Sequence, residues 1–477
     1  TGGDSKPVSP DASLAEHLSG QVLVRPADGA APEAIAAAVG GEVILVRDGL
    51  IRIKLPAGAS VSKTVAALKD RPDVSYAEPV YIYRTQVTGP PTRAAITRGY
   101  ETDYFDRQWG PGSIHATELW AAPGLPAGLS GIRVAVVDTG IDENNPEFAG
   151  RIVGGYNAVN PGQSFYDNEG HGTHVTGIIA ASHADAGIKG IAGTVLLLSV
   201  KVLSADGSGT NQSVADGIRW AAKPIADGGG GADVINLSLG GWGRSRAIQE
   251  AVDYALSQGV VVVAAMGNEY RYGTTHYPAA CEGVIAVGAT RPDGAKASFS
   301  SEGPYISVSA PGDSIFSTIW TSAGSSFAFW SGTSMAAPHV TGLVALLLAQ
   351  DATRTPTMIR TLLEHYASAP LAWSKKLGHG VVNARAAYID EDNVADAYGS
   401  LRVTVTGGSV NDAEVLIRAT PGGDTVTANR TNQDGVAHFH FLKDGTYQVT
   451  VTKGALSGTA TVDIAGGTSA NAIISIS

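Results

Sequence analysis

Cysteine is almost absent from this sequence: Cys281 is the only one among 477 residues, so no intramolecular disulfide can form. A small scaffold held together by disulfides is therefore excluded, although secretion is not. Basic residues are also scarce, because 33 lysines and arginines stand against 44 acidic residues and leave a formal net charge of −11. We expect no nucleic-acid partner, since affinity for phosphate needs a concentrated basic surface.

Long apolar runs are missing as well. None approaches the roughly 18 to 20 residues that cross a bilayer, and the longest, Val260–Ala265 and Val340–Leu348, contain or adjoin glycine or polar residues. We therefore expect no membrane span. Residues 1–20 lack the basic start and apolar middle of a signal peptide. We interpret them as a flexible segment of an exported protein whose signal peptide is absent from this chain.

The chain does have enough apolar sequence for large cores, with 44% hydrophobic residues, and 60 glycines for tight turns. Its length allows about two or three domains. Residues 21–84 read as strand, helix, strand, helix, strand, which predicts a small α+β unit with two helices on one face of a sheet. The pattern fails over residues 85–105, which contain two adjacent prolines. We interpret this stretch as a linker that contains a processing site.

Two further regions differ in their periodicity. Residues 106–397 alternate short strands rich in valine, isoleucine and leucine with helical stretches. This predicts an α/β fold with a doubly wound, mostly parallel sheet, whose ligand site lies at the carboxyl ends of the strands. Residues 398–477 alternate at period two between turn signals, which predicts a β-sandwich. His438 and His440 share one strand face there, and a surface pair is favoured over a metal site.

Three glycine-rich segments of the central region each carry one residue type that hydrolysis by a serine requires. A predicted strand ends at Asp138, while His171 and Ser334 each stand where a helix is expected to begin. A neighbouring imidazole makes a serine hydroxyl nucleophilic, and a carboxylate fixes the tautomer of that imidazole. Singly, such residues are turn, packing or capping residues, but their ordered combination favours catalysis. An α/β-hydrolase esterase is excluded, because the order is Asp, His, Ser and GTSMA lacks the second glycine of Gly-x-Ser-x-Gly.

The segments VVDTGID, HGTHVTG and GTSMAAPHV closely resemble the three signature segments of subtilisin-like serine proteases, the subtilases. The resemblance covers about residues 106–387. It implies that Asp138 orients the base, His171 is the base and Ser334 is the nucleophile. The segment VAAMGNE resembles the oxyanion strip of the family, so Asn268 would donate its amide to the tetrahedral oxyanion.

The same resemblance implies a substrate cleft. Its substrate-binding residues would be Ser238, Leu239, Gly240, Met266, Gly267 and His276. The first three would pair with an extended substrate backbone beside the S1 pocket, which receives the residue before the scissile bond. Met266 and His276 stand where the family usually has small residues, in the oxyanion strip and near the S1 floor. We therefore expect a shallower or more polar S1 pocket.

Calcium is a possible cofactor by resemblance, and no organic cofactor is expected. Subtilases often bind calcium through a loop after the active histidine and an acid after the catalytic aspartate. The corresponding ligands here would be Glu147, Ser182, Ala186 and Ile188. The usual side-chain amide of that loop falls at Ala184, although Asp185 is adjacent. A loop rich in carbonyls with one carboxylate suits calcium, and both outcomes stay open.

The flanking regions also resemble known modules. Residues 21–84 resemble the inhibitory propeptide of subtilases, which implies a folding helper and an intramolecular inhibitor that is cleaved off between about Arg84 and Asp103. The tail resembles carboxypeptidase-regulatory-like sandwiches through TNQDGVAHF and DGTYQV. It would be either a stabilising appendage or a module that binds substrates or surfaces.

Together these features predict a secreted, monomeric serine endopeptidase that acts on proteins or peptides. The chain would be a zymogen or an unprocessed form that still carries its propeptide. The alternative is a latent or regulatory protein on a protease fold, with the tail as a binding module.

Overall fold

The computed structural model describes most of the chain. The described residues are 15–93, 102–122, 125, 128–129, 131–182, 187–270, 275–369, 372–394, 398–407, 410, 413–420, 425–431 and 435–477.

The N-terminal unit is an antiparallel sheet with two helices. Its elements are β1 (His17–Pro26), α1 (Pro32–Ala38), β2 (Glu42–Arg47), β3 (Leu50–Lys54), α2 (Val61–Lys69) and β4 (Val74–Thr85). Their strand order is β4-β1-β3-β2. Sequence reasoning missed β2, which joins β3 through a tight turn at Asp48 and Gly49, both with positive φ.

Both faces of this small sheet are buried. Val22 and Val24 of β1 pack with the two helices, whereas Leu23 between them packs against the central region. All three side chains are fully buried. The continuous apolar run at the start of β1 therefore reflects a sheet that lies between its own helices and a second unit.

The central region is built on a parallel sheet covered by helices on both faces. Before this sheet come β5 (Thr92–Arg93), α3 (Trp109–Ser113) and α4 (Ala116–Trp120). The sheet and its helices are β6 (Arg133–Asp138), β7 (Ile152–Asn157), α5 (His171–Ala180), β8 (Leu196–Lys201), β9 (Ser208–Thr210), α6 (Asn211–Ala222), β10 (Val234–Leu237), β11 (Leu239–Gly240), α7 (Arg246–Ser257), β12 (Val261–Ala265), β13 (Ile285–Thr290) and β14 (Ile306–Pro311). The region ends with β15 (Ile315–Thr321), β16 (Gly324–Trp330), α8 (Thr333–Gln350), α9 (Pro356–His365) and α10 (Ala384–Ile389).

Seven strands form the main sheet in the order β14-β13-β12-β10-β6-β8-β7, and every neighbouring pair is parallel. Along β6, Val134 and Val136 face α5 and α8, while Ala135 and Val137 face α6 and α7. This confirms the doubly wound fold. The chain passes from β6 to β7 and β8 on one side and then crosses to β10 on the other, so the carboxyl end of β6 is the switch point where such sheets bind ligands.

Helix α8 is long and apolar enough to cross a membrane, and it is the one such helix among the described residues. Nearly all of it is buried inside the protein, where it packs against β10, β12, β13 and β14. Length and composition are therefore weak evidence for a membrane span here.

The C-terminal region consists of strands. They are β17 (Tyr398–Thr406), β18 (Glu414–Ala419), β19 (Thr425–Arg430), β20 (Val436–Lys443), β21 (Gly445–Lys453), β22 (Leu456–Ile464) and β23 (Ser469–Ser475). They form two sheets, β20-β17-β23 and β19-β18-β21-β22, around one shared apolar cluster. Arg402 bonds Glu282 of the central region at 2.9 Å, and His438 lies 3.6 Å from the same carboxylate. The side chain of His440 lies outside the described residues.

Candidate active site

Asp138 and His171 form a buried pair at the switch point of the sheet. Asp138 is the last residue of β6, and His171 is the first residue of α5, after Gly170 with a φ of 119°. Oδ1 of Asp138 lies 2.7 Å from Nδ1 of His171 and also accepts the N–H of Thr139 at 2.7 Å. Both ionisable side chains are fully buried. A carboxylate on Nδ1 keeps the proton there and leaves Nε2 free to act as a base.

The environment of His171 favours its charged form. Burial lowers its pKa, but the charge and hydrogen bond of Asp138 raise it, and the nearby Glu169 and Asp167 add to this effect. The net result is a pKa above the ordinary histidine value. The ring packs edge-on against Trp330, with 5.6 Å between the ring centroids. Its Nε2 has no hydrogen-bond partner among the described residues.

Ser334 is the second residue of α8 and lies beside a segment of the N-terminal region. Its hydroxyl donates to the carbonyl of Ser238 at 2.8 Å and accepts the N–H of Gln86 at 2.9 Å. Its own N–H donates to the carbonyl of Gln86 at 3.2 Å. The hydroxyl is therefore bonded away from His171 in this structure.

Asn268 lies at the end of the loop that follows β12. Its Oδ1 accepts the N–H of Thr333 at 2.9 Å and the hydroxyl of Thr333 at 3.0 Å, which fixes the side chain against the start of α8. Its Nδ2 is buried and has no hydrogen-bond partner among the described residues. Buried donors are almost always satisfied, so a free one beside Ser334 is suited to a group that arrives during a reaction.

The chain runs through the cleft beside these residues. Strand β4 pairs antiparallel with β11 on one side, where Thr85 faces Leu239, and with β9 on the other, where Tyr83 faces Gly209. Beyond Gln86, the N–H of Thr88 donates to the carbonyl of Ser331 at 2.9 Å. Strand β5 then pairs with β16. The peptide bond between Gln86 and Val87 consequently lies at Ser334.

Substrate-binding residues expected from the sequence surround this strand. Gly240 pairs with Arg84, and its carbonyl accepts the side-chain amide of Gln86 at 3.2 Å. His276 packs against Gly267, since a Cβ on that glycine would lie 2.7 Å from Cγ of the ring. The Met266 side chain instead packs into the apolar core under the sheet.

The N-terminal unit is fixed to the central region by a buried carboxylate. Glu78 of β4 accepts the side-chain amide of Asn211 at 2.9 Å, the hydroxyl of Ser245 at 2.6 Å and the N–H of Arg246 at 2.8 Å. Ser245 is the N-cap of α7, so the carboxylate lies at the positive end of that helix. Burial raises the pKa of Glu78, and these hydrogen bonds oppose the rise. A second contact joins Arg47 to Asp216 at 2.7 Å.

The expected calcium ligands are brought together in part. Glu147 is buried, and its carboxylate accepts the hydroxyl of Ser182 at 3.2 Å and the N–H of Ile188 at 2.9 Å. Ala186 lies outside the described residues. Among the residues that the structure does describe, no three His, Cys, Asp or Glu side chains cluster as metal ligands would.

Three contributors to this site escaped sequence reasoning. The sequence gives no sign that Gln86 belongs to the site, because Gln86 lies in the stretch whose composition predicts a linker. Glu169, whose carboxylate accepts the N–H of His171 at 2.7 Å, stands two residues before the motif and could have been considered as a neighbouring acid. Glu78 looked like an ordinary strand residue, and its partners lie more than a hundred positions away.

Comparison with known proteins gives two family matches. A model described as "Subtilase family" matches residues 130–380, and one described as "Fervidolysin N-terminal prodomain" matches residues 3–79. A thermophilic serine proteinase from Bacillus sp. (strain AK1) is 40% identical over 326 residues, which cover 68% of this chain and 75% of that protein. Thermitase from Thermoactinomyces vulgaris is 42% identical over 285 residues, which cover 59% of this chain and 96% of that protein.

A solved structure is similar over almost the whole chain. The crystal structure of fervidolysin from Fervidobacterium pennivorans, described as a keratinolytic enzyme related to subtilisin, superposes with a TM-score of 0.71 at 28% sequence identity. The match covers 96% of this chain and 78% of that one. Neither family match extends into residues 398–477, and the resemblance of the tail to carboxypeptidase-regulatory-like domains stays a prediction.

Proposed function

The chain belongs to the subtilase family of serine endopeptidases and carries a fervidolysin-type prodomain, and we propose that Asp138, His171, Ser334 and Asn268 carry its reaction. We further propose that the chain is a zymogen, whose first substrate is its own peptide bond between Gln86 and Val87. Protein or peptide substrates follow, and the prodomain is the intramolecular inhibitor.

One observation carries this proposal: the peptide that directly follows the doubly paired strand β4 lies against Ser334. The carbonyl of Gln86 accepts the Ser334 N–H at 3.2 Å, which is where the oxyanion of an acyl-transfer reaction would form. Strand addition on both sides holds the backbone without reading most side chains. Incubation of the full chain and sequencing of its new N-terminus tests the proposal, and Val87 is the expected first residue.

The reaction follows from these contacts. Ser334 turns from the Ser238 carbonyl to Nε2 of His171, gives its proton to that nitrogen, and attacks the Gln86 carbonyl carbon. The oxyanion accepts hydrogen bonds from the Ser334 N–H and from Nδ2 of Asn268. His171 then passes its proton to the Val87 nitrogen, the C–N bond breaks, and water hydrolyses the ester on Ser334. Asp138 stabilises the charged imidazole throughout.

A permanently latent regulatory protein is the second candidate, and the observed serine hydroxyl favours it for the uncut chain. That hydroxyl is bonded to Ser238 and Gln86 and not to His171. A rotation of the Ser334 side chain would bring its hydroxyl to His171, in the arrangement needed for attack. Hydrogen bonds between catalytic residues often form only in the reacting complex. We therefore assign latency to the uncut state. A chain that never gains activity after incubation would favour the second candidate.

Substitution of Asn268 with alanine is expected to lower kcat by about 10²–10³, because one of the two oxyanion donors is lost. KM should change little, since the strand pairing that binds substrate remains. Steady-state kinetics on the processed enzyme measure both values. The exposed Asn160→Ala is the matched control, and a kcat unchanged by the Asn268 substitution would remove this residue from the oxyanion hole.

The site of action and the flanking regions also belong to this proposal. We infer secretion, supported by a relative named minor extracellular protease Epr from Bacillus subtilis, which is 34% identical over 416 residues covering 85% of this chain and 62% of that protein. We propose domain limits at 21–84, 106–397 and 398–477, and a monomeric enzyme.

The tail, joined by Arg402 to Glu282, would stabilise the enzyme or bind substrates or surfaces.

Calcium at the 182–188 loop is a further proposal, because the Ser182 hydroxyl lies 3.2 Å from the buried Glu147 carboxylate, an oxygen ligand of the kind that calcium binds. Chelator should lower the melting temperature of the full chain. Occupancy at a hundredfold excess over Kd is worth about 2.7 kcal/mol, and each kcal/mol corresponds to about 2–4 °C in a domain of this size. Glu147→Gln should melt lower and lose its response to chelator. Equal melting of the parent chain with and without chelator would contradict the proposal.

A further inference from the structure

His276 is locked beside the cleft by both of its neighbours. The ring is almost fully buried, and its Nε2 lies 2.7 Å from Oε2 of Glu269 and 2.6 Å from the indole nitrogen of Trp242. Its backbone N–H donates to the hydroxyl of Tyr305 at 2.9 Å. A protonated Nε2 donates to Glu269 and an unprotonated one accepts from Trp242, so one of the two contacts holds the ring in either form, while the bond to Tyr305 holds the main chain.

The ring fills the space between the two backbone segments that line the pocket for the residue before the scissile bond. A Cβ on Gly267 would lie 2.7 Å from its Cγ, and a Cβ on Gly240 would lie 3.4 Å from its Nδ1. Nδ1 is buried and has no hydrogen-bond partner among the described residues. It has none although Gln86 already lies beside Gly240, so the ring acts in this pocket through its bulk.

Gln86 occupies the mouth of the same pocket. It is almost fully buried, and its Nε2 donates to the carbonyls of Gly240 and Arg84, both at 3.2 Å. The same Nε2 lies 3.4 Å from the point where a Cβ on Gly240 would be. The carboxamide and the free Nδ1 of His276 therefore flank one glycine, and the imidazole lies where a longer side chain would need to go.

The carbonyl of Gly240 decides which side chain of this length the pocket favours. The Gln86 amide donates to this carbonyl and to that of Arg84, so both of its N–H groups are used. A carboxylate offers only acceptors, and a thioether offers no N–H or O–H donor, so neither can make these bonds.

We infer that His276 is a specificity-determining residue, which makes this a short polar pocket that selects glutamine before the scissile bond over large aromatic residues. This inference deepens the proposed function and rests on it. The ring excludes large side chains by occupying the floor, and the Gly240 carbonyl beside it accepts a hydrogen bond from the carboxamide. A hydrophobic pocket of ordinary depth would have the opposite preference.

The test uses hexapeptides Tyr-Arg-Thr-X-Val-Thr with the enzyme that the full chain yields on incubation. With X as glutamine, kcat/KM should exceed that for methionine, which has similar length, by about tenfold or more, because methionine has no donor for the Gly240 carbonyl. Phenylalanine should be poorer than glutamine by roughly 10–200-fold. Equal rates for all three peptides would overturn the inference and leave the protease assignment intact, whereas cleavage of none of them, nor of any protein, would overturn the protease assignment.

Two variants test the bulk of the ring. His276→Gly should raise the ratio of phenylalanine to glutamine cleavage by at least about tenfold, because the floor opens. His276→Phe keeps a ring on the floor, so it should still reject phenylalanine and, because the Gly240 carbonyl remains, still prefer glutamine to methionine. His115→Gly, at an exposed residue with φ of 59°, is the control that should change neither ratio. A ratio of phenylalanine to glutamine cleavage that stays at the parent value in His276→Gly would overturn the inference.

Discussion

The Ser334→Ala chain is expected to stay whole on incubation and to lose about 10⁶ in kcat, the scale of removing the nucleophile from a triad. The parent chain should cut itself and yield a fragment that begins Val87-Thr88-Gly89. The physical reason is that the hydroxyl oxygen of Ser334 is the one nucleophile expected beside the Gln86 carbonyl, while binding and oxyanion contacts remain and give only residual catalysis. N-terminal sequencing and mass measurement over time follow the cut.

Ser257→Ala, at an exposed helix residue, is the matched control and should process at the parent rate. Purified active enzyme added to the Ser334→Ala chain shows whether the bond can also be cut between molecules. Cutting of the isolated variant at Val87 at the parent rate would refute the role of Ser334. A parent chain that is cut at another bond would refute the Gln86–Val87 assignment and would not contradict the role of Ser334 as nucleophile.

Asp138→Asn should lower kcat by about 10⁴, the second largest effect. An amide in place of the carboxylate cannot hold the proton on Nδ1 or stabilise the charged ring, so Nε2 carries a proton and cannot accept the one from Ser334. The profile of activity against pH should move too. His171 works as a neutral base, and its raised pKa places the acid limb of the parent enzyme above the ordinary histidine value. Removal of the Asp138 charge lowers that pKa and moves the limb to lower pH.

Glu169→Gln separates charge from orientation in this prediction. Glu169 also raises the pKa of His171, but its carboxylate bonds the backbone N–H and not the ring. Its loss should therefore move the acid limb in the same direction, by less, and leave kcat within about tenfold. pH–rate profiles of the three enzymes provide the comparison. An acid limb in Asp138→Asn at the parent pH, or a kcat near the parent value, would show that Asp138 does not act on His171.

The sequence predicted the doubly wound sheet well, because its strands are short apolar runs that alternate with helical stretches. The order of Asp138, His171 and Ser334 and the segments around them predicted the catalytic residues. The sequence could not reveal the orientation of the Ser334 hydroxyl, which depends on the Ser238 carbonyl nearly a hundred positions away. Strand β2 was missed because its exposed face carries Ile44 and Val46, so polar and apolar residues do not alternate clearly there.

Gln86 shows the same limit more sharply. The composition of residues 85–105 predicts a linker, and no pattern in that stretch indicates that its first residues occupy a cleft. Their conformation is imposed by β9 and β11, which belong to another part of the chain. The hypothesis of a shallower or more polar S1 pocket came from Met266 and His276, and the structure places the Met266 side chain in the core. Only the structure supplies the partners of His276, Glu269 and Trp242.

The strand that runs unbroken through the cleft has a consequence for how the protein responds to dilution. While Gln86 and Val87 are joined, the blocking segment is part of the same molecule, and its effective concentration at the cleft is independent of how much protein is present. After the cut, occupancy becomes an ordinary equilibrium between two bodies held by contacts such as those of Glu78 and Arg47. On the proposed cut, the cleaved protein is therefore expected to gain activity on dilution, whereas the uncut chain is not.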